Sequence, residues 1–209
     1  VATQYFVPAN RTVLITTPSH TINPALRPNM QYDTERDLRP VALVANIPEV
    51  FVAHPSVPFD TFDGFLKYAR ANPGRLNYAS AGNGTLPHVT MELLIRRAQV
   101  EVAHVAYKGA APAMTDLLAG TVQLKMDTYA TSAPHMATGR LKILAVASAK
   151  RFPQLPNVPT IAESGFPGYE GNLWIGLLAP AGTPREAIET LAAAFTKAVR
   201  NPKVVQRLQ

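Results

Sequence analysis

The sequence predicts an α/β fold with doubly wound sheets, and three observations predict it. The 209 residues are 47% apolar and 16% charged, enough apolar side chain to build a core without staples. Short β-branched runs alternate along the chain with segments of helical periodicity, the order that lays strands parallel with helices on both faces. Proline and glycine fall between these segments as stops.

Taken in order, Thr12 to Thr17 is a short β-branched run closed by Pro18 and reads as a buried strand, followed by a polar loop from Ser19 to Asn23. Val41 to Ala45 and Val50 to Ala53 are two strand candidates interrupted by Pro48 and ended by Pro55. Thr61 to Ala71 reads as a helix with Phe62, Phe65, Leu66 and Ala69 on one face and Pro73-Gly74 as its stop. A strand from Leu76 to Ser80 leads through Ala81-Gly82-Asn83-Gly84-Thr85 into a helix from Leu86 to Ala98, with Val89, Leu93 and Ile95 as its apolar positions. The alternation continues with strand Val102 to Ala106, helix Ala111 to Ala119, strand Thr121 to Met126, helix Ser132 to Ala137 and strand Leu141 to Ser148. A Pro-rich connection, Arg151 to Pro159, is followed by Ile161 to Gly165 and a last strand, Leu173 to Leu178. A long helix, Pro184 to Val199, is introduced by Gly182-Thr183 as cap.

Composition excludes several function classes. No cysteine is present, which removes disulfides, thiolate metal sites and cysteine nucleophiles. The 20 Lys and Arg against 14 Asp and Glu give a net charge of +6, which favours an anionic partner. The basic residues are dispersed, however, with Arg96-Arg97 and Lys150-Arg151 the only adjacent pairs, so nucleic-acid binding is not expected. No apolar run approaches the roughly 20 residues that cross a bilayer, so no membrane-embedded segment is expected. His20, His54, His88, His104 and His135 lack metal spacing, and no metal or cofactor site is expected. The amino terminus, Val-Ala-Thr-Gln-Tyr-Phe, has neither an initiator Met nor a basic-then-apolar leader, as a processed or truncated chain would.

The most informative segment runs from Tyr78 to His88. A strand ends in a glycine turn that enters a helix, with Thr85 able to cap and Pro87 in the first turn, where a missing N–H costs little. Unpaired N–H groups and the positive end of the helix dipole would converge there and suit a carboxylate or phosphate. The same residues also fit a plain tight strand-to-helix turn. A dinucleotide fingerprint fails because Pro87 stands where the third glycine is needed, a nucleophile elbow fails on Tyr78 and the delayed helix, and a P-loop lacks Gly-Lys-Ser/Thr. His20, His88, Tyr107 and Asp127 stand just after strands, at the edge where open α/β proteins gather ligands, and together they point to a pocket. Carboxylate pairs for acid–base work are scarce, Asp60, Asp63, Asp116 and Asp127 not being spaced as an obvious dyad.

The order of segments resembles the Bug receptor family, the periplasmic solute receptors of tripartite tricarboxylate transporters. The stretches that carry it are Thr17-Pro18-Ser19-His20-Thr21-Ile22-Asn23-Pro24, Ala79-Ser80-Ala81-Gly82-Asn83-Gly84-Thr85 with His88, and His104-Val105-Ala106-Tyr107-Lys108-Gly109. Pro156-Asn157-Val158-Pro159-Thr160 and Ala179-Pro180-Ala181-Gly182-Thr183-Pro184 continue the series. The resemblance implies a two-domain clamshell of the periplasmic-binding-protein type, with residues 1–46 and 174–209 as an incomplete first domain and 47–173 as a second. It implies a ligand held between domains by loops that grip a carboxylate through backbone N–H groups. The second-domain grip falls on Ser80, Gly82, Asn83, Gly84, Thr85 and His88, with Thr17, Ser19 and His20 facing it and Tyr107 and Asp127 lining the cleft. Two departures stand out. Family members begin with a further strand, helix and Pro/Gly-rich loop, which implies a truncated chain here, and Lys125 occupies a segment the family keeps apolar.

On this resemblance the chain is expected to be a non-enzymatic, periplasmic, monomeric receptor that needs no cofactor. It would capture a small organic carboxylate and deliver it to the permease subunits of a membrane transporter. Two alternatives belong to other classes: the ligand-sensing effector domain of a transcriptional regulator, which would need a helix-turn-helix outside these residues, and a serine hydrolase using Ser80.

Overall fold

The computed structural model describes residues 12–204, and these fall into two units, residues 12–46 with 174–204 and Ile47–Leu173. Strands β2 (Leu38–Ala53) and β7 (Asn172–Pro180) each have residues in both units.

In the first unit, β1 (Leu14–Thr16) pairs antiparallel with β7, Leu14 opposite Leu178 and Thr16 opposite Gly176, and β7 lies beside β2. The segment expected as a polar loop after β1 is helix α1 (Ser19–Leu26). Pro18 starts it: with φ −50° and ψ −27° the proline is already helical. Its carbonyl accepts the N–H groups of Thr21 and Ile22, both at 3.0 Å. Pro24 forfeits one bond inside this short helix. Asp33 caps α2 (Thr34–Asp37) by accepting from the N–H groups of Glu35 and Arg36. Helix α7 (Arg185–Val199) follows β7; its N-cap is Pro184, without a side-chain bond, so Thr183 does not cap it as expected.

In the second unit the strand order is β6–β2–β5–β3–β4, with β3 (Leu76–Ser80), β4 (Val102–Ala106), β5 (Leu124–Thr128) and β6 (Lys142–Val146). β5, β3 and β4 pair in parallel and β6 runs in the same direction, but β2 between β6 and β5 runs antiparallel to both, so the sheet is mixed where alternation alone predicted parallel strands. The two strands expected around Pro48 are one continuous strand. Pro48 does not break it because the pairing of β2 with β5 begins only at Glu49, so the absent N–H falls before the shared ladder.

Helices cover both faces. α3 (Phe62–Ala71) and α4 (Leu86–Ala98) pack over Phe51, Tyr78 and Met126, while α5 (Ala110–Leu118) and α6 (Tyr129–Ala137) pack over Val50, Val52, Ala79 and Val146. The alternation along β2 decides which core each residue joins. α3 buries Phe62, Phe65, Leu66 and Ala69, and its N-cap Thr61 accepts from the N–H of Gly64 at 3.0 Å. In α4 the buried face is Thr90, Met91, Leu94, Ile95 and Ala98, whereas Val89 is half-buried and Leu93 is exposed. The inward turn of the polar Thr90 rotates this face away from the one that apolar periodicity picks. β5 begins three residues later than expected because Thr121 and Val122 direct their N–H groups to Asp116 O, completing the end of α5.

Candidate anion-binding site

The parallel strands fix where the site can be. Ser80 lies opposite Ala106 and Ala79 opposite Lys125, so the loops that follow β3, β4 and β5 all emerge at one edge of the sheet. Three of the four polar loops expected to form a pocket meet there; the fourth, after β1, belongs to the other unit.

The turn after β3 is shaped by its glycines. Gly82 and Gly84 take φ values of +128° and +77°, which L side chains rarely adopt. A Cβ on Gly82 would stand 3.1 Å from Tyr107 O. The β4 loop is laced to the turn by the N–H of Tyr107 to Ser80 O and the N–H of Gly109 to Ala81 O, both at 3.1 Å. Ser80 is fully buried. Its Oγ accepts from the N–H of Gly82 at 3.1 Å and lies 2.7 Å from Nε2 of His104. His104 stacks on Tyr78, its register partner on β3, with centroids 4.7 Å apart, and lies 4.4 Å from the ring of His88. Burial, and then the neighbouring His88, hold the His104 pKa below the ordinary imidazole value.

His88 closes the turn from the helix side, its Nδ1 accepting from the N–H of Gly84 at 3.3 Å, which requires a neutral ring at that nitrogen. Thr85 is the N-cap residue of α4, but its hydroxyl donates back to Gly82 O at 2.7 Å instead of capping. The expectation of several unpaired amides is therefore narrowed. The N–H groups of Gly82, Gly84 and Thr85 are used within the turn, and among the described residues those of Asn83 and Leu86 have no protein acceptor. Asn83 is exposed, so this end of a 13-residue helix faces outward with two amides and its dipole uncommitted.

Asp127 and Tyr107 stand at the same edge but on the opposite face of the sheet from Ser80 and His104. The carboxylate of Asp127 is committed internally: Oδ1 lies 2.6 Å from Nζ of Lys125, and Oδ2 accepts from the hydroxyls of Thr131 at 2.7 Å and Ser132 at 3.0 Å. Tyr107 donates its hydroxyl to Asp116 at 2.7 Å, and burial with this bond pushes its pKa up to about 12. In the first unit, Thr17 O accepts from the N–H of His20 at 2.9 Å, Ser19 opens α1, and His20 is buried and stacked on Tyr32 with centroids 5.6 Å apart.

Sequence reasoning overlooked His104, Glu49 and Thr90. The cross-strand pairing of His104 with Tyr78 and the contact of Glu49 with Thr90 join residues far apart in sequence, and no local pattern announces them. Among the described residues no group of three His, Asp or Glu is placed to hold a metal ion, and no helix is long and apolar enough to cross a membrane.

The chain is similar to known proteins. A "UPF0065 protein in tcbD-tcbE intergenic region" from Pseudomonas sp. (strain P51) is 42% identical over 199 residues, covering 95% of this chain and 59% of its own length. The chain thus spans well under two thirds of that relative. Among solved structures, "R. palustris Rpa4515 with adipate" superposes with a TM-score of 0.88 at 36% identity, covering 97% of this chain and 69% of that one. The periplasmic binding protein BugD superposes with a TM-score of 0.85 at 31% identity, covering 94% of this chain and 66% of that one. The description "Tripartite tricarboxylate transporter family receptor" (TctC) matches residues 2–209. With that match extending over nearly every residue, the chain belongs to the tripartite tricarboxylate transporter receptor family, whose members are receptors and not enzymes.

Proposed function

We propose that this chain captures a small organic carboxylate for delivery to the permease subunits of a membrane transporter, acting in the periplasm as a monomer. The observation that carries the reading is the turn between β3 and α4. There the Asn83 and Leu86 amides and the positive end of the helix are left without a protein acceptor. Main-chain donors of this kind hold an anion without transforming it. Gly82, Asn83, Gly84, Thr85 and His88 shape the grip, and Ser80 holds it from below. The same reading gives Thr17, Ser19 and His20 a share in ligand binding, and Tyr107 and Asp127 a place in the pocket wall. The adipate held by the R. palustris relative supports the ligand class. Calorimetric titration with adipate, citrate and an aromatic acid tests the proposal: saturable binding of at least one is expected, and no heat with any of them overturns it.

A further inference from the structure

Glu49 is a buried carboxyl group with no role in the grip described so far. It is 2% exposed, and its main chain is fixed on both sides, the N–H donating to Gly171 O and the carbonyl accepting from Ala147, each at 2.8 Å. Its Oε2 lies 2.7 Å from Oγ1 of Thr90, which is 3% exposed on the first turns of α4. The same Thr90 oxygen lies 2.8 Å from the carbonyl oxygen of Leu86, the first residue of that helix. A threonine hydroxyl carries one hydrogen, yet two acceptors stand within 2.8 Å of it, with Pro87 O a longer third at 3.4 Å. Both contacts are satisfied together only when the second hydrogen comes from Glu49.

We propose that Glu49 is a proton-carrying positioning residue for the carboxylate grip, donating as the neutral acid to Thr90 Oγ1 so that the Thr90 hydroxyl holds Leu86 O at the start of α4. This inference rests on the reading of the glycine turn as the grip. When Glu49 releases its proton to solvent, Thr90 turns its hydrogen to the new carboxylate and Leu86 O loses a partner. A negative charge then stands beside the helix end that receives the ligand and competes with it for the same positive potential.

On the Glu49 side of the sheet stand Thr90 on α4 and Tyr169, whose hydroxyl donates to Thr90 O at 2.7 Å; the charges of Lys125 and Asp127 on β5 act on Glu49 from the opposite face. Burial pushes the Glu49 pKa up to about 8, outweighing the opposite pull of Thr90 and Lys125. The carboxyl therefore titrates at the alkaline edge of the neutral range.

The test uses the full chain and adipate, whose carboxyl groups are both ionised from about pH 7 to about pH 9, above the range in which an ordinary imidazole titrates. Across that interval the wild-type affinity is expected to fall about tenfold. Glu49→Gln, whose amide donates to Thr90 as the neutral acid does, should match wild type at the lower pH and stay constant; Glu49→Ala should bind weakly throughout. A Gln variant that keeps the wild-type pH dependence, or binds as weakly as the Ala variant, overturns the proposal. Thermal unfolding without ligand gives a separate reading. The wild-type melting temperature should fall as pH rises through the interval and that of Glu49→Gln should not, and parallel slopes overturn the relay. If wild type takes up none of the acids at any pH, the proposed function fails alone, and the unfolding series still decides the relay.

Discussion

Nζ of Lys125 lies 2.6 Å from Oδ1 of Asp127, and both side chains are more than nine-tenths buried on β5. Removing one charge strands the other in the core, so Lys125→Met or Asp127→Asn should each cost about 3–5 kcal/mol. Asp127→Asn combined with Lys125→Met keeps acceptors for Thr131 and Ser132 and removes both charges, and should cost less than the summed single losses. Urea unfolding of the three variants checks this; strictly additive losses would mean the pair contributes no coupling.

Ser80 couples the glycine turn to β4. Ser80→Ala removes the acceptor of the Gly82 N–H and the partner of His104 Nε2, and should destabilise the chain by about 1–3 kcal/mol. Adipate affinity should fall with it. Denaturant unfolding beside calorimetry separates the two effects, and an unchanged affinity would detach Ser80 from the site.

The glycines of the turn should differ from ordinary surface glycines. Gly84→Val forces a β-branched residue to φ +77° and should abolish carboxylate binding while the far-ultraviolet circular dichroism stays native. Gly139→Ala, also at positive φ but with open space around it, should leave binding unchanged. Retained affinity in Gly84→Val would move the site elsewhere.

Two histidines set an acid limb. Burial lowers the pKa of His20, whose Nε2 has no partner among the described residues, and burial with His88 lowers that of His104. Below about pH 6.5 the unfolded chain takes up protons that the folded chain resists, so stability should fall as pH drops and level off once the folded histidines also charge. His20→Phe keeps the stack on Tyr32 and should flatten part of that limb in melting experiments from about pH 7 to about pH 5.

α3 was legible in full because every signal for it is local: a capping Thr61, four apolar residues on one face and a Pro-Gly stop. The glycine turn was legible for the same reason, since only glycine sits comfortably at its positive φ values. The helix at Ser19 was hidden because Pro18 reads equally as a strand stop and a helix start. The continuity of β2 through Pro48 depends on which neighbours need an N–H there, and the antiparallel direction of β2 depends on partners more than 70 residues away, Asp127 opposite Val50. Thr90 and Glu49, 41 residues apart, meet only in the folded chain, so no local pattern marks either as the other's partner.

A donor that belongs to the main chain survives exchange of the side chain it carries. The amides of Asn83 and Leu86 would persist under almost any replacement except proline, so on the proposed reading side-chain variation remodels the outward-facing neighbourhood of that helix end without removing the donors that would hold an acid. Ligand shape would then be selected by side chains alone, around a main-chain anchor that their exchange leaves in place.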